Sequence, residues 1–118
     1  MNIFIVDDSD LLRERLIGII AETAGINIIG QADSVESAIS GINSSKPDII
    51  FLDIRLPDGS GIDVLKAIKK NGEVPKIIML TNYPYIQYEN KCRELGADYF
   101  LDKSSDFNRI SDLLESLD

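Results

Sequence analysis

The sequence predicts an α/β fold in which five βα units wrap into a doubly wound parallel sheet. Three observations carry that prediction. Short runs of Ile, Val, Phe and Leu recur along the chain, each followed by a segment with helical spacing, which is the alternation that parallel sheets require. Two of those runs end in acids: Asp7 and Asp8 close Ile3-Phe4-Ile5-Val6, and Asp53 closes Ile49-Ile50-Phe51-Leu52. Gly and Pro fall between the runs and helical segments, where turns are needed.

Taken in order, strand-like runs lie at about 2 to 6, 26 to 31, 48 to 53, 75 to 81 and 98 to 102. The uninterrupted apolar character of the first and third implies strands buried on both faces. In the first helical segment Leu12, Leu16, Ile19, Ile20 and Thr23 share a face, and in the last Phe107, Ile110, Leu113, Leu114 and Leu117 do, so both stripes belong to the core. Asp8 or Ser9 suits the N-cap of the first helix, which begins near Asp10. Ala24-Gly25, Asn71-Gly72 and Leu95-Gly96 mark the ends of the first, third and fourth helices, while Lys46-Pro47 and Val74-Pro75 precede strands. Cys92 lies on an apolar helical stripe and reads as a small core residue. The polar fourth helix, with Gln87, Glu89, Asn90, Lys91, Arg93 and Glu94, reads as a solvated face.

The chain has 118 residues, 44% of them hydrophobic, and residues 1–118 form one domain that buries roughly two-thirds of its extended surface. A formal charge of -8 opposes phosphate-backbone binding, which depends on clustered Lys and Arg. The acidic excess favours metal ions and basic partner surfaces instead. The single cysteine closes no intrachain disulfide, and no apolar leader or membrane span precedes the first strand, so a reducing cytoplasmic setting is expected. With no histidine in the chain, phosphohistidine, histidine metal sites and histidine-based triads are excluded.

Right-handed crossovers in a doubly wound sheet place the ligand crevice beyond the carboxyl ends of the strands, where the winding reverses. In the common order 2-1-3-4-5 that point falls between the first and third strands, the two that end in Asp7, Asp8 and Asp53. Three converging carboxylates raise one pKa unless a cation relieves them. Hard oxygen ligands without imidazole or thiolate suit Mg²⁺. Thr81 at the end of the fourth strand and Lys103 just past the fifth would add a hydroxyl and a point positive charge. This set fits phosphoryl transfer onto a carboxylate, with Asp53, alone at its strand end, as nucleophile. Pro57-Asp58-Gly59-Ser60-Gly61 makes a tight turn into the third helix, with Ser60 as its N-cap.

Four segments carry a family resemblance: Ile5-Val6-Asp7-Asp8, the run from Phe51 through Asp53, Arg55 and Pro57 to Gly61, Met79-Leu80-Thr81, and Gly96-Ala97-Asp98-Tyr99-Phe100-Leu101-Asp102-Lys103. In this order and spacing the chain resembles, over nearly its whole length, the receiver domain of bacterial two-component response regulators, whose fold is flavodoxin-like. The strand order 2-1-3-4-5 is itself the order of a chemotaxis receiver of that kind.

The resemblance implies a phosphoacceptor module that assists its own phosphorylation and dephosphorylation rather than an enzyme. Asp53 would accept a phosphoryl group from a sensor histidine kinase or phosphotransfer protein. Asp8, Asp53 and the Arg55 backbone carbonyl would bind Mg²⁺, with Asp7 acting through water. Thr81 and Lys103 would grip the product, Phe100 would be the switch aromatic, and the fourth helix, fifth strand and fifth helix would form the surface that meets a downstream protein. The module would be a monomer or a phosphorylation-dependent dimer, without direct nucleic-acid contact or membrane insertion.

Three departures from the usual pattern add expectations. Ser104 follows Lys103 where many receivers have Pro, and because a non-proline cis bond costs about 3 kcal/mol, a trans bond and a differently aimed lysine are expected. Asn82 after Thr81 narrows the path of the threonine. Phe100 lacks the hydroxyl of the frequent Tyr, which favours an inward ring. Arg55 and Tyr83, each two residues past a site position, should overlook the route of attacking water and slow the loss of phosphate.

A stand-alone receiver is the leading reading, and the receiver portion of a DNA-binding transcriptional regulator the alternative. A haloacid-dehalogenase-like phosphatase, suggested by the Asp8-Ser9-Asp10 spacing, belongs to a different class. Leu12 occupies its usual Thr or Val position, and the chain has no room for the usual cap and extra strands.

Overall fold

The computed structural model describes residues 1–70, 72 and 75–117. The five strands are β1 (Asn2–Val6), β2 (Asn27–Ala32), β3 (Ile49–Leu52), β4 (Lys76–Thr81) and β5 (Tyr99–Asp102), and the helices are α1 (Asp10–Ala21), α2 (Val35–Ser45), α3 (Gly61–Lys70), α4 (Ile86–Glu94) and α5 (Ile110–Leu117). A 3-10 turn over Phe107–Arg109 leads into α5. The strands form one sheet in the order β2-β1-β3-β4-β5, and every neighbouring pair in it is parallel. This is the flavodoxin-like topology the sequence predicts, with its winding reversal between β1 and β3.

Alternation along the central strands builds two cores. Ile3, Ile5, Ile49, Phe51, Ile78 and Leu80 pack on one face against residues of α1 and α5, whereas Phe4, Val6, Ile50, Leu52, Ile77 and Met79 pack on the other against α2, α3 and α4. Consecutive strand side chains point to opposite faces, so an unbroken apolar run is what a sheet covered on both sides demands. Leu12, Leu16 and Ile20 are buried as expected, as are Phe107, Ile110, Leu114 and Cys92. Ile19, Leu113 and Leu117 pack at the margin of the same core.

Side-chain size is constrained around Phe4. A Cβ on Gly30 would stand 2.5 Å from its ring and one on Gly41 2.6 Å, so the ring occupies space that two glycines leave open between β2 and α2.

Local signals act where the sequence places them. Ser9 caps α1 by accepting from the Leu12 amide at 3.2 Å, and Ser60 accepts from the Ile62 amide at 3.1 Å in the first turn of α3. The fourth helix ends at Glu94 with Leu95 as its C-cap, after which Gly96 adopts φ 98, the left-handed conformation that glycine adopts without a Cβ penalty. Asn71 and Val74, which the sequence places at the end of α3 and ahead of β4, lie outside the described residues.

Candidate phosphoacceptor site

The strand ends bring the acids together through the ladder itself. Val6 pairs with Leu52 across β1 and β3, and the Asp53 amide continues the ladder by donating to the Val6 carbonyl at 3.0 Å. Asp7 then leaves the sheet on the other side of the same rung, its amide donating to the Ala32 carbonyl at 3.0 Å. Carboxylate oxygens of Asp7, Asp8 and Asp53 all lie within 4.8 Å of one another. Thr81 pairs with Asp102 at the end of β4 and β5, and the Lys103 amide donates to the Thr81 carbonyl at 2.9 Å. Five residues from four strand ends thus meet at one edge.

Their side chains are set by burial and specific partners. Asp7, Asp53 and Thr81 are 2%, 5% and 0% exposed. The Lys103 ammonium lies 2.6 Å from Asp7 Oδ2 and 3.0 Å from Asp53 Oδ2. Asp7 Oδ1 accepts from the Ser9 amide at 2.9 Å, and Asp53 Oδ1 from the Ile54 amide at 2.7 Å. Asp8 is exposed and meets no donor among the described residues. It therefore offers a solvent-accessible carboxylate beside the buried pair that shares Lys103.

Burial raises the Asp53 carboxyl above its ordinary value; Lys103 opposes the shift and the Asp7 charge adds to it. Burial works against the Lys103 ammonium as well, but its bonds and ion pairs to Asp7 and Asp53 outweigh that, and its pKa is raised. The net arrangement is three acids against one cation. Such a set of hard oxygens fits a small divalent ion.

The lysine reaches inward although Ser104 follows it, which corrects the expectation that it would be differently aimed. No peptide bond among the described residues is cis. The loop instead orders itself through Asp102, which accepts from the Ser104 amide at 2.9 Å and its hydroxyl at 2.7 Å. Phe100 is half-buried and packs against the α2–α4 side of the core. Arg55 lies exposed, its guanidinium 4.2 Å above the Tyr83 ring, and Tyr83 continues through Tyr85 and Tyr88 with centroid spacings of 6.4 and 5.7 Å. Asp10 does not join the acids; its carboxylate is 88% exposed and pairs with Arg13.

Three contributors had no distinctive sequence signal. They are the Ile54 amide, the Tyr83 amide, which donates to Thr81 Oγ1 at 3.0 Å, and a two-residue antiparallel hairpin, Arg55–Leu56 with Gly59–Ser60. At the tip of that hairpin Asp58 accepts from the Val35 and Glu36 amides at 2.7 and 3.1 Å. Those bonds hold its carboxyl below the ordinary carboxylate value and tie the loop after Asp53 to the start of α2.

The response regulator receiver domain family matches residues 3–115. The chain belongs to that family. Among curated relatives, the receiver is 38% identical over 116 residues to the sensory transduction protein LytT of Bacillus cereus, covering 98% of this chain and 46% of that one. It is 30% identical over 83 residues to the DNA-binding transcriptional activator DevR/DosR of Mycobacterium tuberculosis, covering 70% of this chain and 38% of the relative. The matched segments thus span less than half the length of either relative. Among solved structures, the CheX-CheY-BeF3-Mg complex of Borrelia burgdorferi superposes with a TM-score of 0.90 at 29% identity, covering 99% of this chain and 88% of that one. Family and fold place the phosphatase reading outside the remaining possibilities.

Proposed function

We propose that this receiver is a phosphorylation-gated switch of two-component signalling, with Asp53 as its phosphoacceptor. The observation that carries the reading is the Lys103 ammonium, on a largely buried side chain, bridging Asp7 and Asp53 beside the exposed Asp8. A carboxylate oxygen of Asp53 forms a bond to phosphorus as the P–N bond of a phosphohistidine on the donor breaks, and the electron pair of that bond stays with the imidazole nitrogen. Lys103 holds positive charge where the phosphoryl oxygens arrive, and the Ile54 amide orients the acceptor.

Asp8, Asp53 and the Arg55 carbonyl would hold Mg²⁺, with Asp7 acting through water. The ion supplies the charge that offsets the carboxylates and phosphoryl oxygens. Thr81 then turns its hydroxyl toward the product and Phe100 moves further inward. That change biases the surface of α4, β5 and α5 toward a downstream protein. Arg55 over Tyr83 screens the acceptor from attacking water and lengthens the life of the phosphoryl group.

The donor is a sensor histidine kinase or phosphotransfer protein, and the setting is cytoplasmic. Among the described residues no helix is long and apolar enough to cross a membrane. Output by protein contact alone makes this a stand-alone receiver, either monomeric or dimerising on phosphorylation. A second reading, the receiver portion of a DNA-binding regulator, is favoured by longer relatives, one of them named as a transcriptional activator. The genomic reading frame decides between these, since a stop codon after Asp118 excludes the fused protein.

Intact-protein mass after incubation with acetyl phosphate tests the chemistry. One phosphoryl adduct that requires both Mg²⁺ and Asp53, and is lost in Asp53→Asn, is the expected result. No adduct under conditions that label a control receiver overturns the reading.

A further inference from the structure

The five-residue loop that carries Lys103 out of the sheet is closed by two acids that the phosphoryl chemistry does not use. The Asp102 amide donates to Asp106 Oδ2 at 2.9 Å, and the Asp106 amide donates back to the Asp102 carbonyl at 2.8 Å. These two bonds make a reciprocal clasp around Lys103, Ser104 and Ser105. Inside it, Asp102 Oδ1 accepts from both the Ser104 amide and the Ser104 hydroxyl, which hold its carboxyl below the ordinary value and keep it an ionised acceptor. Arg109 Nη1 lies 3.2 Å from Asp106 Oδ1 and fixes the second acid from outside.

A lysine side chain has a long flexible stem and a point charge, so its reach is only as well defined as the backbone from which it starts. At Lys103 that backbone has one tie to the sheet, the bond from its amide to the Thr81 carbonyl. Beyond it the chain runs straight into a turn of two serines, which has no intrinsic stiffness of its own. Yet the side chain is 7% exposed and its ammonium contacts two buried carboxylates at once.

We propose that Asp102 and Asp106 are positioning residues for Lys103, clasping the turn so that its ammonium spans Asp7 and Asp53. This rests on the reading of Lys103 as the phosphoryl-binding cation, but the geometric part concerns the unphosphorylated protein. Asparagine at 102 keeps the Oδ1 acceptor for Ser104 and should preserve the ordered turn, whereas alanine at 102 removes that inner acceptor and alanine at 106 removes the carboxylate that closes the clasp on the Asp102 amide. A role in stability alone would not separate the asparagine from the alanine variants at the ammonium.

The experiment compares wild type, Asp102→Ala, Asp102→Asn and Asp106→Ala. The primary readout is the nitrogen-15 NMR signal of the Lys103 ammonium in metal-free protein, assigned by its loss in Lys103→Met. Slow solvent exchange is expected in wild type and Asp102→Asn, with the signal lost to exchange in both alanine variants. Acetyl phosphate labelling with Mg²⁺ should fall roughly ten- to a hundredfold in the alanine variants, the scale of a small misplacement of a reacting group. An ammonium signal in Asp102→Ala as persistent as in wild type overturns the proposal; should that variant not fold, Asp106→Ala decides by the same criterion. A wild type that shows the protected ammonium but forms no adduct defeats the phosphoacceptor reading and leaves the positioning result standing.

Discussion

Replacing Lys103 with Met keeps the length of the stem and removes the charge that two buried carboxylates share. The ammonium contacts lie at 2.6 and 3.0 Å, among side chains 7%, 3% and 6% exposed for Lys103, Asp7 and Asp53. At such distances each pair gains about 5 to 6 kcal/mol of gross attraction at an effective dielectric of about 20. Most of that offsets desolvation, and removing one partner of a buried pair costs about 3–5 kcal/mol.

With a urea slope of about 2 kcal/mol per molar, the unfolding midpoint in EDTA should fall by about 1.5 to 2.5 M. Circular dichroism is the suitable probe, because the chain has no tryptophan. A divalent ion at a hundred times its Kd returns about 2.7 kcal/mol. Without the competing ammonium the variant should bind Mg²⁺ more tightly than wild type, so a fixed, subsaturating Mg²⁺ concentration should stabilise it more. An EDTA midpoint within about 0.3 M of wild type, or a Mg²⁺ response no larger than that of wild type, would refute the reasoning.

Asp53→Asn should raise stability at neutral pH. The folded carboxyl binds its proton more tightly than the unfolded one, so wild type loses stability as pH rises from the ordinary value of 3.8 through the folded value. Thermal melts across pH should therefore show the variant's advantage above that window and its disappearance below it. Gly61→Ala would place a Cβ 2.0 Å from the Asp53 carbonyl oxygen; the resulting backbone shift should cost about 1–3 kcal/mol and slow acetyl phosphate labelling, with unchanged melting and labelling counting against it. Arg55→Ser combined with Tyr83→Ser should shorten the phosphoryl lifetime several-fold in a mass-spectrometric decay assay. An unchanged decay would remove the screening role of that pair.

Burial made the strand ends legible. An apolar run that must be covered on both faces has few alternatives, and its final acid can only stand at the sheet edge, so Asp7, Asp8 and Asp53 could be placed from the chain alone. Lys103 was legible as a charge past the last strand. Its aim was not, because that depends on Asp102 accepting from Ser104 across a turn whose residues suit many turns. The hairpin at Arg55–Leu56 and Gly59–Ser60 was hidden for a similar reason: two-residue strands leave no periodicity. Asp58 reaches an amide 23 positions earlier in the chain, a contact set by how α2 packs rather than by any local pattern. The 3-10 turn at Phe107–Arg109 keeps Phe107 on the predicted core stripe while changing the winding that presents it.

On the proposed switch, the bond from the Tyr83 amide to the Thr81 hydroxyl would make signal reading work in both directions. A hydroxyl that swings toward Asp53 abandons that amide, and the backbone leading to Tyr85, the residue that caps α4, must find it another acceptor. Whatever then rearranges would include the row that begins with Arg55 on Tyr83 and ends at the half-buried Tyr88, which packs against the core. By thermodynamic reciprocity, a partner that clamps this row in its resting order weakens phosphoryl retention by the same factor by which the phosphoryl group weakens the partner's grip. If Asp53 is the phosphoacceptor proposed above, a protein bound at the tyrosines would set how readily the phosphoryl group is kept.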